Sequence, residues 1–398
     1  MGLALGCLSA HCQQLLTESE AVEIALKNSS ALKAAGLTVR QNEQLVRSAR
    51  NIPNPDITFD SPSGTFYTLG VQQSFRFPTV YQYQSQLQSQ QIGLAQKEQL
   101  ITQNDLTFRV KSIYQAIQAA EAVRLQIVAR DSVYEQIRQA AKRQFEAGTI
   151  DKLALTFAET QAADVRNALA EAIQQAATNK AQLAMLMQGS DRRTAERIGA
   201  VNFTVLPYDD PTLTPLPFAN LPLADFTQNP LIQASEQQAL INQKAIDVER
   251  ANALPGFMVG YYNQGTKESS LGLRWRAGVS IPLWTGQYKS RIAAAQTGFE
   301  IAKQRTEAQK VALSTDLQAA QGELTRYRNS LNYFQTTALR QADELIAIAR
   351  RFFESGQTDY VGFLRTTNDA YNIKLRYLET LRSYHQTLLN INYLTGNL

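Results

Sequence analysis

From Thr79 to Glu146 the chain contains no proline and no cluster of turn-forming residues. As one helix it would rise by about 100 Å at 1.5 Å per residue, which no compact globular domain can hold. Apolar residues recur at threes and fours (Val110, Ile113, Ile117, Ala120, Val123, Ile127), with Gln and Arg on the remaining faces. That spacing makes a narrow stripe of the coiled-coil kind. Gly148 breaks the pattern, and a second helical segment returns from Asp151 to about residue 188.

The same plan is written twice. Pro53 and Pro255, Pro78 and Pro282, and Gly148 and Gly356 are separated by 202, 204 and 208 residues, in the same order. Arg143-Gln-Phe-Glu-Ala-Gly148 answers Arg351-Phe-Phe-Glu-Ser-Gly356, and the two halves are expected to share one structure. The first repeat spans 13–189, with a helix from about Glu18 to Asn51, a β-hairpin over 56–77, and helices over 79–146 and 151–188. The second spans 223–398, with a hairpin over 256–281 and helices over 286–355 and 358–394. Between them, residues 190–222 carry five prolines, from Pro207 to Pro222, and read as an irregular linker. Thr17 is placed to cap the first helix.

In the hairpins the period changes from 3.6 to two. Tyr67, Leu69, Val71, Gln73, Phe75 and Phe77 alternate with Thr68, Gly70, Gln72, Ser74 and Arg76. Leu271, Leu273, Trp275, Ala277, Val279 and Ile281 alternate with Gly272, Arg274, Arg276, Gly278 and Ser280. Strands of this length and pattern suit a membrane barrel with an apolar exterior and a polar lumen. Nothing in the chain reaches eighteen consecutive apolar residues, so a membrane crossing falls to strands. Four strands cannot enclose a wet lumen, since even eight leave an interior that side chains fill. Three chains would supply twelve, and their long helices would form a helical tunnel.

Both cysteines, Cys7 and Cys12, lie in the first dozen residues, so the body has neither a disulfide nor a thiolate metal site. Residues 1–12 read as the remnant of a secretory signal, cleaved after Cys12, although a positively charged start is missing. Lipidation at Cys7 and a buried apolar turn remain the alternatives. With 39 basic and 35 acidic residues spread along the chain, no basic face for nucleic acid is built. His385 is the one histidine after residue 12, which removes histidine metal sites and triads, and no nucleophile, base or cofactor motif appears.

Taken together, the doubled helix–hairpin–helix plan, Asn229-Pro230-Leu231, the prolines closing each hairpin, and the Phe-Glu-Ala-Gly148 and Phe-Glu-Ser-Gly356 turns resemble the TolC family of outer-membrane efflux proteins. Ser74-Phe-Arg-Phe-Pro-Thr-Val-Tyr81 is similar to the branch serving heavy-metal pumps. The resemblance covers almost the whole chain. It implies a homotrimer with a twelve-strand barrel in outer-membrane lipid and a helical tunnel in the periplasm. The partners it implies are a periplasmic adaptor (membrane fusion protein) and an inner-membrane RND-type pump, and it implies no cofactor. A periplasmic coiled-coil scaffold without a pore is the rival reading; it accounts for the helices but not for the alternating hairpins.

Candidate site residues follow from this frame. Arg76, Arg274 and Arg276 fall on the polar face of the hairpins, where they either filter by charge or simply face water. Tyr67, Tyr261, Tyr262, Trp275 and Trp284 read as an interfacial girdle. Pro78 and Pro282 mark the junction of barrel and helices. The turns at Gly148 and Gly356, with Asp151 and Asp359 behind them as helix caps, are the expected periplasmic tip where the adaptor docks. In the family's best-known member, acidic residues six and nine positions after the second tip glycine ring the closed entrance. Here those places hold Gly362 and Arg365, which makes Arg365 the candidate gate residue. Met185 and Met187, two apart on a helix, point in different directions and read as packing rather than as a soft-metal pair.

Overall fold

The computed structural model describes residues 14–60, 68–188, 203–208, 226–264, 275–355 and 357–398. In the first half, β1 (Gln14–Leu15) leads into α1 (Glu18–Asn28) and α2 (Ser30–Ser48). The strands β2 (Asp56–Asp60) and β3 (Thr68–Phe75) follow, then α3 (Pro78–Glu146), α4 (Lys152–Gln188) and β4 (Phe203–Thr204). The second half holds α5 (Pro230–Asn252), β5 (Gly256–Gln264), β6 (Trp275–Ser280) and α6 (Thr285–Tyr333). A π turn (Phe334–Ala338) joins α6 to α7 (Leu339–Glu354), and α8 (Tyr360–Thr395) returns.

The helix ends are written in local chemistry. Thr17 and Glu20 form a reciprocal capping box: the Glu20 N–H donates to Thr17 Oγ1 at 3.3 Å, and the Thr17 N–H to Glu20 Oε2 at 2.9 Å. Asn229 Oδ1 accepts from the Leu231 N–H at 2.8 Å, with Pro230 in the first helical position. Gly396 closes α8 at φ 77°, a left-handed conformation that glycine adopts without strain.

Two helices depart from the expected pattern. The predicted helix from Glu18 to Asn51 is broken at Ser29, whose ψ of 120° takes it out of the helix, and its second piece stops at Ser48. Asn28, Ser29 and Ser30 are short polar residues whose side chains compete for backbone partners, and Asn28 Nδ2 donates to the Met187 carbonyl at 2.8 Å. The long helix of the second half holds the π turn, within which Thr336 Oγ1 donates to the Asn332 carbonyl at 2.7 Å. Phe334 and Ala338 of that turn are buried.

The chain forms two compact units, and α3 and α6 contribute to both. One comprises residues 1–30, 103–225 and 314–398, and its described residues are mostly helical, with the short strands β1 and β4. Within it, Tyr134, Ile137 and Ala141 of α3 pack with Leu155, Ala158 and Val165 of α4, Ala349 of α7, and Phe363 and Leu364 of α8. A second cluster joins Ala21 and Ala25 of α1 to Val110 and Ile117 of α3 and to Leu183 and Met187 of α4. Part of the proline-rich linker is ordered against this cluster: β4 pairs in parallel with β1, and Val205 is buried. Its remaining prolines, Pro211 to Pro222, lie outside the described residues, as do residues 1–12.

The other unit comprises residues 31–102 and 226–313. Its sheet has the order β2-β3-β5-β6 and is antiparallel throughout, so the two hairpins meet along β3 and β5. Among the described residues β2 and β6 are the outer strands of this sheet.

Candidate functional site

Register sorts every strand residue onto one of two faces. Ile57 pairs with Val71, Val71 with Tyr261, and Tyr261 with Trp275; Phe75 pairs with Phe257, and Phe257 with Val279. These residues form one apolar face, and they are not covered: Ile57 is 72% exposed, Phe59 67%, Trp275 66% and Val279 57%. A soluble sheet buries such a face, whereas here it confronts solvent across four strands. Tyr261 and Trp275 meet edge to face at 5.3 Å at the end of this face nearer the loops. Ile281, Leu283 and Trp284 stay exposed beyond its other end, ahead of α6.

The opposite face carries Asp56, Thr58, Gly70, Gln72, Ser74, Gly260, Tyr262, Arg276 and Ser280. Tyr262 therefore parts from Tyr261 and Trp275, contrary to its expected place in an interfacial girdle, because neighbours along a strand point to opposite sides. Its hydroxyl donates to Gln72 Oε1 at 2.7 Å, and the Arg276 guanidinium lies 4.4 Å from its ring centroid. Arg76 follows β3, is exposed, and its backbone N–H donates to Tyr81 Oη at 3.1 Å. Pro78 opens α3, and Pro282 stands between β6 and α6. Arg274, Tyr67, Leu271, Gly272 and Leu273 lie outside the described residues.

Past the C-terminal end of α3, Gly148 adopts φ 72° with open space where a Cβ would stand. The Thr149 N–H and Oγ1 both donate to the Gln144 carbonyl, at 2.9 and 2.8 Å. Asp151 Oδ1 then caps α4 by accepting from the Ala154 N–H at 2.8 Å. In the second half Asp359 Oδ1 accepts from the Gly362 N–H at 2.8 Å and caps α8; Gly356 lies outside the described residues. Behind these turns Phe353 stacks on Phe363 at 4.9 Å and meets Tyr360 at 4.6 Å. Phe145, Leu153 and Phe352 remain exposed around them.

Charge stitches the helical hairpins together. Glu121 bonds both Lys180 of α4 (2.6 Å) and Arg124 (2.7 Å). Burial raises the Glu121 carboxyl, but the two cations outweigh it and hold the group below the ordinary carboxylate value. Glu135 pairs with Arg138 at 2.6 Å and with Arg166 of α4 at 2.9 Å. Hydrogen bonds from Arg138 and Gln139 bring the Glu135 carboxyl down to about 2. Lys374 of α8 reaches Asp343 of α7 at 2.6 Å.

Sequence reasoning missed Arg130, which lies 5.1 Å from the Tyr134 ring centroid and 5.8 Å from that of Tyr371 and donates to Asn368. It also missed the stack of His385 on Tyr208, parallel within 10° at 4.5 Å. The Arg130 contacts with Asn368 and Tyr371, and the stack of His385 on Tyr208, do not follow from local spacing, because they join segments far apart in the chain. Arg365 is exposed on α8 and makes no ion pair among the described residues. Met187 is buried and Met185 exposed, as their spacing predicts. Among the described residues no three His, Cys, Asp or Glu side chains gather as metal ligands, and no helix is long and apolar enough to cross a membrane.

The model of the outer membrane efflux protein family matches residues 226–397 of this chain, most of its second half. The chain is 24% identical to the cobalt-zinc-cadmium resistance protein CzcC of Cupriavidus metallidurans, over 96% of this chain and 90% of that one. Its fold matches a CusC crystal structure with TM-score 0.77 at 16% identity, covering 96% of this chain and 92% of that one. It also matches the CmeC outer membrane channel of Campylobacter jejuni with TM-score 0.78 at 14% identity, over 96% and 85%.

Proposed function

We propose that three copies of this chain assemble into a passive exit channel of a tripartite efflux pump, with one twelve-strand barrel in the outer membrane. The observation that carries this reading is the four-strand sheet, bounded by β2 and β6 among the described residues, with an uncovered apolar face. In lipid every backbone group must be paired, and only a closed barrel leaves a sheet without edges. Pairing β6 of one copy with β2 of the next closes the ring. The apolar face then meets hydrocarbon, and the face bearing Arg276, with Arg76 just past the end of β3, lines the lumen. On α7, Leu345, Ile348 and Phe352 form a second exposed stripe at helical spacing, suited to contact between copies.

The turns at Gly148 and Gly356, with Asp151, Asp359 and the exposed Phe145, Leu153 and Phe352, form the tip that receives a periplasmic adaptor and, through it, an RND-type inner-membrane pump. Likeness to a cobalt-zinc-cadmium resistance protein favours metal cations as cargo. Energy comes from the pump, and the channel supplies the path. Arg365 is the gate residue in this reading: its charge reaches a carboxylate of a neighbouring copy, since Asp359 Oδ1 already caps its own helix. Planar-bilayer recording tests the proposal. Purified protein should give discrete conductance steps, and Arg365→Ala should raise the open probability, with Arg365→Lys between the two. A protein that never conducts contradicts the channel, and variants that gate like the parent place the gate elsewhere.

A further inference from the structure

Two glycines make room for Tyr262. Gly70 lies opposite it on β3, and Gly260 lies two residues before it on β5. A Cβ at Gly70 would come within 2.6 Å of the Tyr262 ring carbons Cδ1 and Cε1. At Gly260 it would stand 2.9 Å from Cε2. Real Cβ atoms do not approach so closely, so the ring lies flat on bare backbone instead of standing away from the sheet. Gln72, opposite Gly260, accepts the hydroxyl proton at 2.7 Å and holds the ring's far end. From β6, Arg276, also opposite Gly260, places its guanidinium over the upper face, 4.4 Å from the centroid.

A guanidinium on an aromatic face is attracted by the ring's quadrupole and gives up the rotamer freedom of a long side chain. Backbone, ring and cation thus form three layers on the polar face, drawn from three strands. Resting on the channel reading above, in which this face lines the lumen, we propose that Arg276 is a selectivity-determining residue of the barrel, with Tyr262 as its positioning residue. Threefold repetition would place three such charges around one level of the lumen, where rings of charge set which ions pass. Asp56 stands on the same face at the opposite edge of the sheet. The inference therefore concerns what Arg276 adds to the lumen potential, not the channel's absolute preference.

The reversal potential across a potassium chloride gradient reads this contribution without depending on how many channels insert. Arg276→Gln should lower the chloride-to-potassium permeability ratio by about twofold at 0.1 M salt, and by less at 1 M, where screening is stronger. Arg276→Met provides a second neutral side chain should the glutamine variant assemble poorly, with the same shift expected. Tyr262→Leu should move the ratio in the same direction by a smaller factor, because the charge remains but is no longer held. Arg276→Lys keeps charge and ring contact and should retain most of the parent ratio. Conducting Arg276→Gln or Arg276→Met channels with the parent's reversal potential would overturn the inference. A shift in those variants with none in Tyr262→Leu would remove Tyr262 from it. Absence of conductance from the parent protein would instead count against the channel reading itself.

Discussion

The sheet and the helical hairpins put the same kinds of side chain to opposite use. In the helical unit, Tyr134, Phe363 and Leu364 turn inward and pack with residues of α3, α4, α7 and α8. In the sheet, Ile57, Phe59, Trp275 and Val279 turn outward, and register puts Gln72, Tyr262 and Arg276 on the other side. A helical bundle in water hides its apolar residues from solvent, whereas a barrel in lipid faces them toward it. Apolar content does not distinguish the two regions; the direction in which it points does.

That contrast is most sharply broken by moving charge. Val279→Arg on the apolar face should cost about 2–4 kcal/mol per copy at midplane depth. Repeated three times, the cost should abolish the assembled oligomer in outer-membrane fractions. Ser280→Arg, one residue away on the polar face, should assemble. Equal yields of the two variants would mean that the faces are not distinguished by their solvent.

Removal of packed volume gives the next largest effect. Leu364→Ala in the helical core should lose about 2–5 kcal/mol, read as a fall in the thermal midpoint of helix circular dichroism. Val279→Ala leaves no enclosed cavity and should lose less than a quarter of that, since lipid fills the gap. Comparable losses would show that the exposed face is packed against protein.

A smaller effect concerns protons. His385 lies between Tyr208 at 4.5 Å and Tyr384 at 5.6 Å, and burial pushes its imidazole down to about 4. Below pH 6.5 the unfolded chain binds a proton that the folded site refuses. Stability should therefore be full above that pH and fall by about 2–3 kcal/mol in total as pH drops toward 4. Glu121 acts lower: held below its ordinary value of 4.5, it stabilises the fold above that pH and ceases to as pH falls through its depressed value. His385→Phe should flatten the denaturation midpoint between pH 6.5 and 4.5 and leave the steeper acid limb in place. An unchanged profile would exclude His385 as the source.

How much of this was legible depended on whether the cause was local. Alternation at period two exposed both faces of β3 and β6 because each strand residue commits its side chain to one side. Thr17, Asp151 and Asp359 could be read as caps because a cap acts within three residues. The break at Ser29 was missed because Asn28 is anchored to Met187 on α4, far along the chain. Tyr262 was read with its aromatic neighbours, although Gly70, opposite it on another strand, decides where its ring lies. Strand pairing brings those residues together, and spacing along the chain does not record it.

One measurement bears on the central claim most directly: the mass of the purified protein in detergent by light scattering, with the detergent contribution subtracted. Closure of the sheet by neighbouring copies predicts a single species at three times the chain's 44.3 kDa, lost in Val279→Arg and kept in Ser280→Arg. A stable monomer that still inserts into bilayers and conducts would contradict it.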